Sequence, residues 1–194
     1  MYGLDFEEFL WAMGLSDETV TTLRTHLDNK AKIPDSVHNQ VMQYFRLYVA
    51  IGGMPEVVQK YIDTKDFRAY TTDLSLLISM KDFSLKQHIV ENTLSGNTKG
   101  GLYECAVADA LYKKGFDLYF YKNETTRKEV DFIIQSDGKP VPIEVKSGNN
   151  KATSLQMLLK DGKGIDRAYK FIDGNIGTSE DGIITLPLYM ASFI

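Results

Sequence analysis

Asp131, Glu144 and Lys146 stand in the stretch EVDFIIQSDGKPVPIEVKSG, residues 129–148, whose apolar positions alternate as in two β-strands. Asp137-Gly138 between the two runs is a strong signal for a two-residue hairpin turn. With that turn, Ser136 faces Lys139, and counting back sets Asp131 opposite Glu144 and Glu129 opposite Lys146. Directly opposed residues share a face, with Cβ atoms roughly 4.5–5.5 Å apart. Glu144 and Lys146, two positions apart, share it too. The other face carries Val130, Phe132, Ile134, Val141, Ile143 and Val145 and reads as core. Two acids facing each other destabilise a sheet unless something offsets their charge. A divalent cation would do so; Mg²⁺ (or Mn²⁺) takes few carboxylates, keeps several waters and leaves room for a phosphate. Lys146 beside it could bind that phosphate or activate a water. The alternative is a solvent-facing sheet surface on which Lys146 neutralises Glu129.

Glu104 is the next acid of interest. On a helical wheel it falls about 20° from Leu111 and about 40° from Ala108, on the apolar side of its helix. A carboxylate there needs a partner, and a helix packed on the hairpin would carry it toward Asp131, Glu144 and Lys146. The competing reading is a first-turn glutamate favoured by the helix dipole.

These residues need elements to hold them. GLYECAVADALYKKG predicts a helix closed by Gly115, followed by a strand over Leu118–Tyr121, the hairpin, a short helix over Ser154–Lys160, and strands over Ala168–Ile172 and Ile183–Tyr189. That order predicts an α/β layered domain with a mixed sheet. The first part of the chain reads as helices. Asp5 is a candidate N-cap and Gly14 a stop; Ser16 is a second cap; a helix runs from Pro34 to Ile51, ends at Gly52-Gly53, and is followed by one starting near Pro55. Leu74–Met80 is a short apolar run, and SGNTKGG, residues 95–101, reads as a turn or flexible loop. The division expected is a helical segment over 1–98 without catalytic residues and an α/β domain over 99–194, with few core contacts shared between them.

Composition fits a folded protein, with 43% hydrophobic and 25% charged residues. A net charge of −4 disfavours nucleic-acid binding through overall charge, although residues 99–170 hold a small excess of Lys and Arg. One cysteine, Cys105, excludes an intrachain disulfide. An acidic N-terminus and the lack of a long apolar run predict a soluble cytoplasmic protein with no membrane partner. His26, His38 and His88 are too scattered to predict a histidine metal site, and no G-x-x-x-x-G-K-[ST] order exists to cradle a nucleotide phosphate.

Glu104 on a helix, then Asp131, then Glu144-Val145-Lys146 on a hairpin, resembles the active-site pattern of the PD-(D/E)-x-K nuclease superfamily. More closely, GGMPEVV, GLYECAVADALYKKG, EVDFII and PIEVKSG resemble the family called domain of unknown function 4143 (DUF4143), whose members carry this segment after an AAA-type ATPase domain. The likeness runs from LDFEEFLWAMG to the final LPLYM and is most specific over residues 100–148. The chain departs from it in two ways: it has no ATPase domain, and YIDTKDFRAYTTDLSLL joins segments that members separate with a longer winged-helix-like region.

The resemblance implies a restriction-endonuclease-like core, a mixed central sheet flanked by helices, and a Mg²⁺- or Mn²⁺-dependent nuclease acting on DNA or RNA. It implies that Asp131, Glu144 and the Val145 carbonyl hold the metal. Lys146 would orient or deprotonate the attacking water, and Glu104 would complete or tune the metal shell. Arg127, Lys128, Lys151 and Lys160 would meet the nucleic-acid backbone, and Gln156 would lie near the site. The alternative is a non-catalytic nucleic-acid-binding or protein-interaction module of the same fold.

Overall fold

The structure, a computed structural model, describes residues 3–64, 83–94, 96–123, 128–148, 151–161, 164–178 and 182–194. The helices among them are α1 (Phe6–Ala12), α2 (Asp17–Asp28), α3 (Asp35–Ile51), α4 (Pro55–Thr64), α5 (Phe83–Val90), α6 (Gly96–Lys113) and α7 (Thr153–Lys160). The strands are β1 (Tyr119–Asn123), β2 (Lys128–Ser136), β3 (Lys139–Lys146), β4 (Ala168–Ile172), β5 (Gly177–Thr178) and β6 (Ile183–Pro187), and a 3₁₀ helix (Leu188–Ser192) follows. The α/β layering expected from the sequence is therefore present. Leu74–Met80 lies outside the described residues. No helix among them is long and apolar enough to cross a membrane.

Local chemistry sets the helix ends. Asp5 caps α1 in a full capping box with Glu8, each side chain accepting the other's main-chain N–H at 2.9 Å. Ser16 caps α2. Gly52, at φ +79°, stops α3 with a backbone that other residues seldom adopt. Residues 96–100 correct the expectation of a loop: α6 already begins at Gly96. Glycines weigh against a helix in isolation, but packing of the Tyr103–Leu111 stripe recruits the preceding turn.

The sheet has the order β1-β2-β3-β4-β6-β5. β1, β2 and β3 form an antiparallel meander, β4 joins β3 and β6 in parallel, and β5 closes the far edge antiparallel to β6. The parallel step from β3 to β4 needs a crossover, and α7 lies within it. One face bears Phe132, Ile134, Val141, Ile143, Val145, Phe171 and Leu186 against α6 and the 3₁₀ helix. The other bears Ala168 and Ile183 beneath Ala152, Leu155 and Leu158 around α7. Val130, expected beside Phe132, joins this second cluster instead. The reason is a break in register, described with the site below.

The larger core does not stop at the sheet. It runs without interruption into Phe6, Phe9, Leu23, Phe45 and Tyr48 of the N-terminal helices. Phe6 stacks edge-on to Phe45 at 5.3 Å between ring centres and lies 6.4 Å from Tyr189 of the 3₁₀ helix. This overturns the expectation of few shared contacts between residues 1–98 and the α/β part. The cause is the C-terminal LYMAS segment: read as the end of a strand, it coils instead into a fully buried plug that needs the N-terminal helices around it.

Candidate functional site

The hairpin forms with the register that its turn dictates, from Ser136↔Lys139 through Phe132↔Ile143. Asp137 and Gly138 both take positive φ, as a turn of this tightness requires. Beyond Phe132 the ladder changes. On the β1 side, Tyr119 pairs with Ile133 but Tyr121 pairs with Val130, so Phe120 faces both Asp131 and Phe132. This is a β-bulge, which bends the strand and re-aims its side chains. It turns Val130 away from Phe132's face and frees the Asp131 side chain for a different task. Asp131 Oδ2 accepts the Val145 main-chain N–H at 2.6 Å.

Glu144 and Lys146 share the face expected of them. Lys146 Nζ meets Glu144 Oε1 at 2.6 Å. Glu144 is buried, at 6% exposure, and its Oε2 has no hydrogen-bond partner. Glu129 does not neutralise Lys146; it pairs across the sheet edge with Lys122, at 3.6 Å, where both are exposed.

The four sequence-derived residues influence one another. Burial pushes the Glu104 carboxyl above its usual range, the Asp131 charge adds to that, and Lys146 opposes it. Burial likewise raises Asp131, against the pull of the Val145 N–H and Lys146. For Lys146, burial works downward but is outweighed by the hydrogen bond and charge of Glu144 and the charges of Asp131 and Glu104, so its pKa rises. The ammonium form is therefore held firmly. Glu104 acts here at the level of charge: among the described residues no group of three or more His, Cys, Asp or Glu is drawn close enough to hold a metal ion.

The structure adds Lys170. It pairs with Glu144 across the parallel β3–β4 step and is itself buried, at 8% exposure. Burial lowers its pKa, Glu144 raises it and Lys146 lowers it further. A lysine in the middle of AYKFI was the available signal, but only strand order puts it beside Glu144.

The remaining candidates disperse. Arg127 lies outside the described residues. Lys128 starts β2 opposite Asn123. Lys151 and Lys160 are exposed at the two ends of α7, and Gln156 is half-buried on it. Val145 packs its side chain into the core. His38 bonds Tyr189 and His88 bonds Thr93, so these histidines serve local structure.

An oxygen-rich pair of carboxylates, one with an unbonded buried oxygen, beside a lysine held protonated, is suited to a hard divalent cation and a phosphate. No curated protein matches the chain. Residues 99–189, which include Glu104, Asp131, Glu144, Lys146 and Lys170, match the family model described as domain of unknown function (DUF4143), and the sheet-bearing part of the chain carries that family's sequence pattern.

Proposed function

We propose that this chain carries a metal-dependent nuclease-like site of the PD-(D/E)-x-K type, built on a restriction-endonuclease-like core and acting on nucleic-acid phosphodiesters. One observation carries the reading. Lys146 bonds Glu144 and also takes its raised pKa from Asp131 and Glu104, which brings an acid-acid-lysine set and a helical glutamate into one electrostatic site. The residues fit a cation. Glu144 Oε2 is a buried acceptor without a donor, a costly condition that a metal ion relieves. Asp131 and Glu144 would hold Mg²⁺ or Mn²⁺, with the Val145 carbonyl as a third oxygen and Glu104 linked through water. When bound, the ion supplies Lewis-acid activation of the phosphoryl group and a more acidic water.

The protein's own groups then have defined tasks. Lys146, kept protonated, acts as a fixed positive charge for a phosphate oxygen and orients a water, rather than as a base. Asp131 fixes the hairpin through the Val145 N–H, so the spacing between the two acids is set before any ligand arrives. Lys170 lies beside Glu144 and limits the charge that builds up in its absence. Lys128 and Lys151, with Arg127, are the candidate backbone contacts.

A non-catalytic module of the same fold is the second reading. The close Glu144–Lys146 pair favours it, because Lys146 already offsets the Glu144 charge without a ligand. Cleavage assays on single- and double-stranded DNA and RNA, with Mg²⁺, Mn²⁺ or EDTA, separate the two. The nuclease reading expects metal-dependent cleavage that Asp131→Asn, Glu144→Gln and Lys146→Ala each abolish. It also expects Mn²⁺ to raise the melting temperature of the parent and Lys146→Ala, but not of the two acid variants. Absence of both effects in the parent leaves the non-catalytic reading.

A further inference from the structure

A second polar site lies on the other side of the sheet's end. Asp173 directly follows β4, whose last residue, Ile172, pairs with Lys146. Its carboxylate turns toward the helices and gathers Arg46 Nη2 at 2.9 Å, Lys99 Nζ at 3.3 Å and the Tyr103 hydroxyl at 3.2 Å. The three charged side chains are only 11–15% exposed. Against the cost of burial, Arg46 and Lys99 hold the Asp173 pKa below the usual range. A purely architectural tie of this kind would be packed over. This one opens instead on a cleft of about 410 Å³ lined by His38, Asn39, Gln43, Arg46, Asn92 and Asp173, with Met42 on its floor.

The lining decides what could enter. Two cations share one acid around Asp173, so that cluster carries an excess of positive charge; Arg46 and Asp173 line the cleft itself, and among the described residues no other acid lines it. Arg46 Nε is buried and has no hydrogen-bond partner, an exception among buried guanidinium donors. Asn39, Gln43 and Arg46 follow one another at four- and three-residue steps along α3, so their side chains line one stripe. Asn92 faces them from the turn after α5, in the left-handed conformation at φ 56°. Amide donors around a guanidinium recognise an oxyanion. The volume lies within the range of small-molecule sites, roughly 300–1,000 Å³, and exceeds what a bare oxyanion needs.

We propose that this cleft binds a small phosphate monoester, with Arg46 as the charged contact and Asn39, Gln43 and Asn92 as neutral donors. The site does not depend on the nuclease reading. It adjoins that region in the chain: Tyr103 and Glu104 are consecutive on α6, and Asp173 directly follows Ile172, the last residue of β4.

The test is a thermal-shift and calorimetric titration of the whole chain in EDTA with inorganic phosphate and with a nucleoside 5′-monophosphate. The nucleoside alone and sodium chloride at matched ionic strength are the controls. The monophosphate is expected to bind and raise the melting temperature, phosphate to do so more weakly, and the controls to do neither. Asn39→Asp, at an exposed rim position, should weaken binding at least tenfold without lowering the melting temperature of the free protein. Arg46→Lys keeps a charge for Asp173 but loses the planar fork, and should also weaken binding. Lys146→Ala should leave it unchanged, which separates this cleft from a phosphate bound at the nuclease-like site. No binding by the parent, or equal binding by Asn39→Asp, overturns the proposal.

Discussion

Asp131 has two roles that different substitutions pull apart. Its carboxylate is the hydrogen-bond acceptor for the Val145 N–H and is also a negative charge near Glu104. Asp131→Ala removes both and leaves a main-chain donor unpaired beside the core, at a cost of about 1–3 kcal/mol. Asp131→Asn keeps an acceptor and removes the charge, so denaturant melts in EDTA should show little loss or a small gain. The same substitution should lower the Glu104 pKa, since the Asp131 charge is the largest charge effect raising it. A carbon-detected NMR titration of the glutamates reads that directly, and an unmoved Glu104 would show that the two groups do not share a site.

At the scale of elements, two glycines give opposite expectations. Gly101 lies inside α6, and a Cβ there meets nothing within 4 Å. Gly101→Ala should therefore stabilise the protein by about 0.5–1 kcal/mol through helix propensity, or roughly 2–4 °C in melting temperature for each kcal/mol. If residues 96–101 were a loop, this gain would be absent. Gly53 is different: an added Cβ collides with the Leu4 carbonyl, whose own N–H donates to the Gly53 carbonyl at 2.6 Å. Gly53→Ala should cost about 1–3 kcal/mol and loosen the N-terminal strand-like entry to α1, measurable as faster amide exchange at Leu4.

For the whole molecule, the shared core and the Asp173 cluster bind the N-terminal helices to the sheet. Asp173 is mostly buried, and its folded-state pKa is depressed relative to the unfolded chain. An acid of that kind contributes stability that is complete above its unfolded pKa, roughly 3.9. That contribution is lost as pH falls through the lower folded value. Asp173→Asn should thus cost about 3–5 kcal/mol near neutrality, by leaving Arg46 and Lys99 without their acid, and should flatten the acid limb of the stability curve. Glu104 and Asp131 have the opposite sign. Their raised pKa values favour the fold below the unfolded pKa, and that contribution disappears as pH rises through the folded values. A pH series of melts on parent and Asp173→Asn separates these effects, and because the core is common, both ends of the chain should unfold in one transition.

Sequence alone determined the parts governed by short-range rules. The hairpin register follows from one two-residue turn, the helix starts at Phe6 and Asp17 follow from their capping residues, and the Glu144–Lys146 pair follows from the two-residue period of a strand. Tertiary structure decided what depends on neighbours distant in the chain. The bulge opposite Phe120 moved Val130 to the other face and turned Asp131 onto Val145, because β1 pairs out of step with β2. Parallel pairing of β3 with β4 brought Lys170 to Glu144, and burial of the 3₁₀ helix drew helices α1 to α5 into the core of the sheet. None of these is encoded in a local pattern; each arises where two segments compete to bury the same apolar surface, and only the packed chain resolves that competition.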